Sequence, residues 1–312
     1  MRLSDNSKFQ LTLGIHFALL VLLAAAHRYA QGGGPYSPSS FRQVLAIFSG
    51  VFVAQVALIG WWAAWSRSSS GRRIGALVLL VPLLAAVQSQ VFCRVSIIAW
   101  FIAGEEDYYL RYLTWVVEFS AFAFHVCVVG MILRCCGFRS GNEKSLQADA
   151  WSWHFGFRDV AEWCAVVSLL LAAARWLQEY GWKWHHLLNA CEWWSGEYVL
   201  HQEFIVLALA ITGGLLWFPS RRWGIVAMLT GPLVLAIEGE VFRLWGTLKN
   251  PEAINEDYSG KGYFPHSDPE LAALQFIAFA AVFGGTLLVV RDCGYRLSWR
   301  KPWTSPPVAE ST

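Results

Sequence analysis

The sequence predicts an all-α, polytopic membrane protein of about eight transmembrane helices, built as a 4+4 parallel internal duplication. Three observations carry that prediction. The 312 residues are 56% hydrophobic and only 15% charged, with a mean hydropathy of +0.41, whereas a soluble domain carries roughly a quarter charged residues. The charges gather between long apolar runs, each near the ~20 residues needed to cross a bilayer. The same landmarks recur in both halves of the chain. A net charge of +2 gives no argument for nucleic acid, so the lipid bilayer is the partner that composition implies.

The expected spans are 9–28, 43–65, 73–103, 110–133, 159–177, 199–218, 223–247 and 270–290. Basic Arg2 and Lys8 precede the first, which ends in Ala24-Ala25-Ala26. That pattern fits a signal peptide or an uncleaved span; because the counterpart in the second half is a plain span, the uncleaved form is expected. The second ends in Trp61, Trp62 and Trp65, which suit an interfacial belt. The third opens on Arg72-Arg73 and is long enough to tilt, to kink at Pro82 or to end early. The fourth closes on Arg134-Cys135-Cys136-Gly137. The fifth follows Arg158 and reaches Trp176, with Trp182 and Trp184 beyond it. The sixth stops before Arg221-Arg222, which opens the seventh, and the eighth runs into Arg291. No strand is expected. The domains are then a first membrane unit (1–137), a cytoplasmic linker (138–158), a second unit with the candidate site (159–294) and a cytoplasmic tail (295–312).

Basic residues set the orientation. Fifteen fall on the side that holds both termini, among them Arg72, Arg73, Arg134, Arg221, Arg222 and Arg291. Six fall on the other, beside acidic patches such as Glu105-Glu106-Asp107. Both termini are therefore expected to be cytoplasmic, in the inner (plasma) membrane of the cell.

The halves share landmarks. Arg72-Arg73-Ile74-Gly75 matches Arg221-Arg222-Trp223-Gly224, and PLLAAVQSQVF from Pro82 matches PLVLAIEGEVF from Pro232. Arg134-Cys135-Cys136-Gly137 matches Arg291-Asp292-Cys293-Gly294. Four spans per unit give both units one orientation, with a pseudo-twofold along the membrane normal. Gln88 and Gln90 become Glu238 and Glu240 in the second half, which alone carries Cys191 and His266.

Ionisable groups inside a span are costly and usually face a partner or a water-filled cavity. Arg94, Glu118, His125, Glu238, Glu240 and Arg243 lie within spans, with Glu162 and Glu203 near span ends. Glu240 and Arg243 share a helix face and can pair. The structural alternative is a neutralised pair, or a bridge between the halves through Arg94 and Glu118. Cys135, Cys136 and Cys293 sort to cytoplasmic ends, while Cys164, Cys127 and Cys93 lie within spans. Cys191 alone falls on the outer side. It is a small buried residue, a disulfide partner of Cys93 if the third span ends early, or a nucleophile. His185-His186 lacks a third metal ligand. His16 and His125 could in principle ligate haem, but lone histidines on apolar helices are more often core residues. No metal and no cofactor is expected.

Residues 190–290 resemble the exosortase and archaeosortase family, membrane cysteine enzymes that process proteins carrying a C-terminal sorting helix. Ala190-Cys191, with Ser195-Gly196 after the insert Glu192-Trp193-Trp194, is similar to the family's Ala-Cys-Ser-Gly motif. Pro232 to Ala236 leads to Arg243, and His266 precedes the last span, as the family's arginine and histidine do. Glu238 stands where the family tends to have Asn, and the Pro-to-Arg spacing is about two residues long. Pro35-Tyr36-Ser37 is similar to the family's Tyr-Ser-His-Gly segment without its His and Gly. The resemblance implies covalent catalysis by Cys191, with His266 as general acid/base and Arg243 stabilising thiolate and oxyanion. The competing class is a transporter or channel with a charged core around Glu238, Glu240 and Arg243; a non-catalytic assembly protein is a third.

Overall fold

Away from water an apolar run can satisfy its backbone N–H and C=O groups within itself only as a helix, and the long apolar runs among the described residues are helical. The computed structural model describes residues 38–65, 70–92, 106–136, 138–142, 202–249 and 269–299, with a few helical residues between 14 and 25. The helices are α1 (Pro38–Trp65), α2 (Ser70–Phe92) and α3 (Glu106–Cys135), then α4 (Gln202–Trp217), α5 (Arg222–Lys249) and α6 (Pro269–Asp292). Two short strands complete the set, β1 (Phe138–Asn142) and β2 (Tyr295–Trp299). Two helical segments, Ala46–Trp65 and Pro269–Asp292, are long and apolar enough to cross a membrane.

The helices coincide with the expected second, third, fourth, sixth, seventh and eighth runs, with shifted ends. The described part of the third runs to Phe92 and continues through Pro82; 93–103 lie outside the described residues. Pro232 likewise sits inside α5. Proline removes one N–H donor but leaves the rest of the helical ladder available. The fifth expected span, 159–177, lies outside the described residues. Contacts divide the chain into two compact units, and the division falls within α1, between Gln55 and Val56.

The first unit holds the opening part of α1 with α4, α5 and α6. Its core is aromatic. Phe204 of α4 meets Phe276 and Phe279 of α6 at 4.9 and 4.8 Å, and Phe279 stacks on Phe283. Near its other end, α4 receives Arg291 of α6 on its carbonyls, so α4 and α6 run parallel. Helix α5 runs against both. Gly214 of α4 packs so closely on Gly224 of α5 that an added Cβ would lie 2.5 Å from the Gly224 nitrogen, and Gly284 of α6 faces Met228 of α5. Small residues permit such close backbone approach. Gln275 of α6 donates to Ser49 of α1 at 2.7 Å, and Gln43 donates to Glu270 at 2.8 Å, so α1 enters this unit parallel to α6.

Arg291 is 4% exposed. Its guanidinium donates to the carbonyls of Leu215, Phe218 and Pro219. A helix ends with carbonyls that have no intrahelical partner, and α4 closes through a π-helical stretch, Gly213–Trp217, that leaves several facing one way. The planar fork of arginine suits that cluster.

The second unit repeats the device. Arg134 of α3 donates to the Ala64 carbonyl at 2.8 Å and Arg73 of α2 to the Ala63 carbonyl at 3.4 Å, both at the end of α1. Around them Ala63, Ala64 and Cys127 are fully buried against Trp65, Leu77 and Met131. Gly60 lies on the Ala123 carbonyl and Gly130 on Ala64, so α1 and α3 run parallel, as α4 and α6 do.

The strands correct the expectation of none. They pair antiparallel, Phe138 opposite Trp299 through Asn142 opposite Tyr295, with Ser140 facing Leu297 at the centre. Five-residue segments that are half polar carry no usable periodicity, and the partner of each lies in the other half of the sequence. Thus the expected linker and the expected tail each begin with a strand. Gly294, with φ 89°, makes the left-handed turn from α6 into β2, a conformation that costs glycine little.

Candidate functional site

Of the three residues singled out as catalytic, Arg243 lies on α5, one to two turns before the helix ends at Lys249. Its helical placement is described; its side chain is not. Cys191 and His266 lie outside the described residues, as does Arg94, one of the two residues of the alternative bridge between the halves. Glu118 falls on α3 with its side chain undescribed.

The described surroundings of Arg243 come from the helix directions. Because α4 and α6 run parallel and α5 runs against them, the start of α4, the end of α5 and the start of α6 share one end of the first unit. Arg243 belongs to that end. In sequence, His266 comes just before Pro269, where α6 starts, and Cys191 comes shortly before Gln202, where α4 starts.

The same end carries carboxylates. Glu240 is half-buried and Glu238 is exposed on α5. The pairing of Glu240 with Arg243 that the sequence allows falls on a side chain outside the described residues; a described electrostatic neighbour of Glu238 is a second carboxylate. Glu203, half-buried in the first turn of α4, lies within its electrostatic reach. Like charges on adjacent helices repel when both are ionised. This proximity is not legible in the sequence because Glu203 and Glu238 belong to different helices, and only the antiparallel α4–α5 turn brings their levels together.

The other candidates sort as follows. Cys127 is buried at the α1–α3 contact, while Cys136 is exposed and Cys293 half-buried at the ends of α3 and α6. His16 Nε2 is 2.9 Å from Thr286 Oγ1. The threonine hydroxyl donates its own hydrogen to the Val282 carbonyl at 2.7 Å, so the imidazole is the donor and its tautomer is set. His125 is half-buried and meets the Phe124 ring edge-on at 6.3 Å. Among the described residues, no three His, Cys, Asp or Glu groups gather as a metal site. Buried Gln55, Thr212 and Gln275 each keep a side-chain polar atom with no hydrogen-bond partner.

Comparison with known proteins adds no name to these residues: no family model matches the chain, and neither a curated protein nor a solved structure matches it.

Proposed function

We propose that the chain is an integral membrane cysteine protease or transpeptidase, similar to the exosortase and archaeosortase enzymes. It processes proteins bearing a C-terminal sorting helix on the outer face of the inner membrane. The observation that carries the reading is the direction of the three helices of the first unit. The end of α5 that holds Arg243 is the end at which α4 and α6 begin, and the chain leading into those two helices contains Cys191 and His266.

In this mechanism the Cys191 thiolate attacks a peptide carbonyl of the substrate and forms a tetrahedral oxyanion. Arg243 stabilises the thiolate and the oxyanion. His266 takes the thiol proton and delivers it to the leaving amine as the C–N bond breaks. The thioester that remains passes its acyl group to water or to an acceptor amine, and the thiol is restored.

The finer architecture belongs to the same proposal: eight spans, both termini cytoplasmic, and duplication of a four-helix unit. The ribbon supports duplication. Matching Cys136-Gly137 with Cys293-Gly294 makes Phe138 equivalent to Tyr295 and Asn142 to Trp299. Exchanging the two strands then maps the ladder onto itself, with Ser140 opposite its own equivalent, Leu297. Equivalent arginines also do equivalent work, Arg134 on the end of α1 and Arg291 on the end of α4.

A second reading, a transporter or channel, is favoured by one observation: Glu203 and Glu238 lie within electrostatic reach of each other. Two carboxylates on neighbouring helices near the level of Glu240 and Arg243 suit a site for a coupled cation. One experiment separates the two. The chain is co-expressed with a candidate substrate carrying a sorting helix, and the substrate's mass is measured. Cys191→Ala is expected to abolish processing while Glu238→Gln with Glu240→Gln retains it. Unchanged processing in Cys191→Ala sinks the enzyme reading, and ion-coupled flux that needs Glu238 establishes the alternative.

A further inference from the structure

The turn between α4 and α5 carries an aromatic shelf beside a cationic group. Trp217 stacks on Phe218 with centroids 5.7 Å apart and planes at 24°, and Phe218 meets Trp223 at 6.3 Å. All three rings are exposed, Trp223 the most at 61%. Soluble surfaces rarely leave three adjoining large aromatics uncovered, whereas tryptophan belts sit where hydrocarbon meets headgroups.

The shelf continues into an apolar stripe. From Trp223 the exposed residues of α5 step by three and four positions through Val226, Leu229, Leu233, Ile237 and Val241 to Leu244. At 1.5 Å per residue the stripe is about 32 Å long, close to the ~30 Å hydrocarbon thickness of a bilayer. A stripe of that length, rimmed by aromatics at one end, fits lipid rather than a folded partner.

Charge completes the surface. Arg221 is 3.6 Å from Asp292, which offsets its charge. Arg222 is exposed one turn below Val226, at the edge of the stripe. Its backbone N–H is held by Ser220 Oγ at 3.2 Å, and the first turn of α5 contains no acidic residue. A cation with no acidic residue in its own helical turn, at the foot of an apolar stripe and beside an aromatic shelf, is complementary to a phosphate diester with its acyl chains running along the helix.

We infer that the α4–α5 turn is a binding surface for an anionic phospholipid, with Arg222 meeting the headgroup phosphate, Trp217, Phe218 and Trp223 packing at the glycerol level, and the acyl chains lying on the α5 stripe. This rests on the membrane placement proposed above and not on the protease assignment.

The full-length protein is reconstituted in phosphatidylcholine vesicles, and tryptophan quenching is titrated with brominated phosphatidylglycerol or brominated phosphatidylcholine. The part of the quenching that is lost in the Trp217→Phe, Trp223→Phe double variant reports this surface. Wild type is expected to prefer phosphatidylglycerol there by about fivefold, the effect of one surface arginine on anionic lipid. Arg222→Gln is expected to bring the ratio near one, Arg222→Lys to keep most of it, and Arg296→Gln to leave it unchanged. Strong quenching with equal response to both lipids in wild type overturns the anionic site alone, as does a preference that survives Arg222→Gln. Absence of quenching by either lipid overturns the membrane placement with it. Substrate processing is not part of the readout, so failure here is separable from failure of the protease reading.

Discussion

Replacing Arg291 by methionine keeps most of the side-chain volume and removes the guanidinium that closes the end of α4. Three carbonyls then lose a charged donor: Leu215, Phe218 and Pro219. They do not lose it equally. Leu215 is fully buried, so its carbonyl is left without a partner, and a hydrogen bond to a charged group contributes about 1.5–3 kcal/mol. Phe218 and Pro219 are exposed, and water can replace part of what they lose, leaving roughly 0.5 kcal/mol each. The sum is a destabilisation of about 3 kcal/mol. Lysine keeps the charge but lacks the planar fork and reaches fewer carbonyls, so Arg291→Lys should recover less than half. The assay is unfolding of the detergent-purified chain at a fixed scan rate, with equilibrium unfolding in mixed micelles as a check. Arg296→Ala is the control, since Arg296 lies on β2 and not at the end of α6. A loss below about 0.5 kcal/mol for Arg291→Met, the range of an ordinary surface change, would refute the argument that this arginine holds the end of α4.

Two further changes test packing. Gly50→Ala places a Cβ against the Gln275 carbonyl, a backbone atom that cannot swing away, and is expected to cost about 1–3 kcal/mol in the same unfolding measurement. Gly285→Ala, where an added Cβ meets nothing within 4 Å, is expected to be neutral or to stabilise by up to about 1 kcal/mol through helix propensity. Gly294→Ala forces a side chain into a left-handed conformation and should cost about 1–2 kcal/mol; an unchanged midpoint would show that the turn into β2 relaxes without penalty.

The helical runs were legible because their physics is local. A stretch such as residues 271–290 is apolar apart from Gln275 and Thr286, and such a segment has only the helix available to satisfy its backbone in the absence of water. The basic ends of those runs were equally plain, since Arg134, Arg221 and Arg291 punctuate them in sequence. Their roles were not. Arg291 reads as one more cytoplasmic charge, and only the parallel packing of α4 and α6 turns it inward onto carbonyls some seventy residues earlier. The repeated landmarks predicted equivalent helices, but the β1–β2 ribbon between them was invisible because each strand finds its partner only across the fold.

The candidate site divides in the same way. The sequence by itself determined the chemistry available: a cysteine expected on the outer side, an arginine and a histidine in the second half, and glutamates within a long apolar run. Which of these share one end of the helices depends on helix direction, and direction is a property of packing rather than of composition. Tertiary structure decided that the start of α4, the end of α5 and the start of α6 lie together, and that Glu203 and Glu238 come within electrostatic reach of each other. The physical reason is range. Hydrophobic pattern and charge asymmetry act along the chain and can be read from it. Close approach at Gly214 and Gly224, and the meeting of Phe204 with Phe276 and Phe279, act between segments and exist only once the helices have packed.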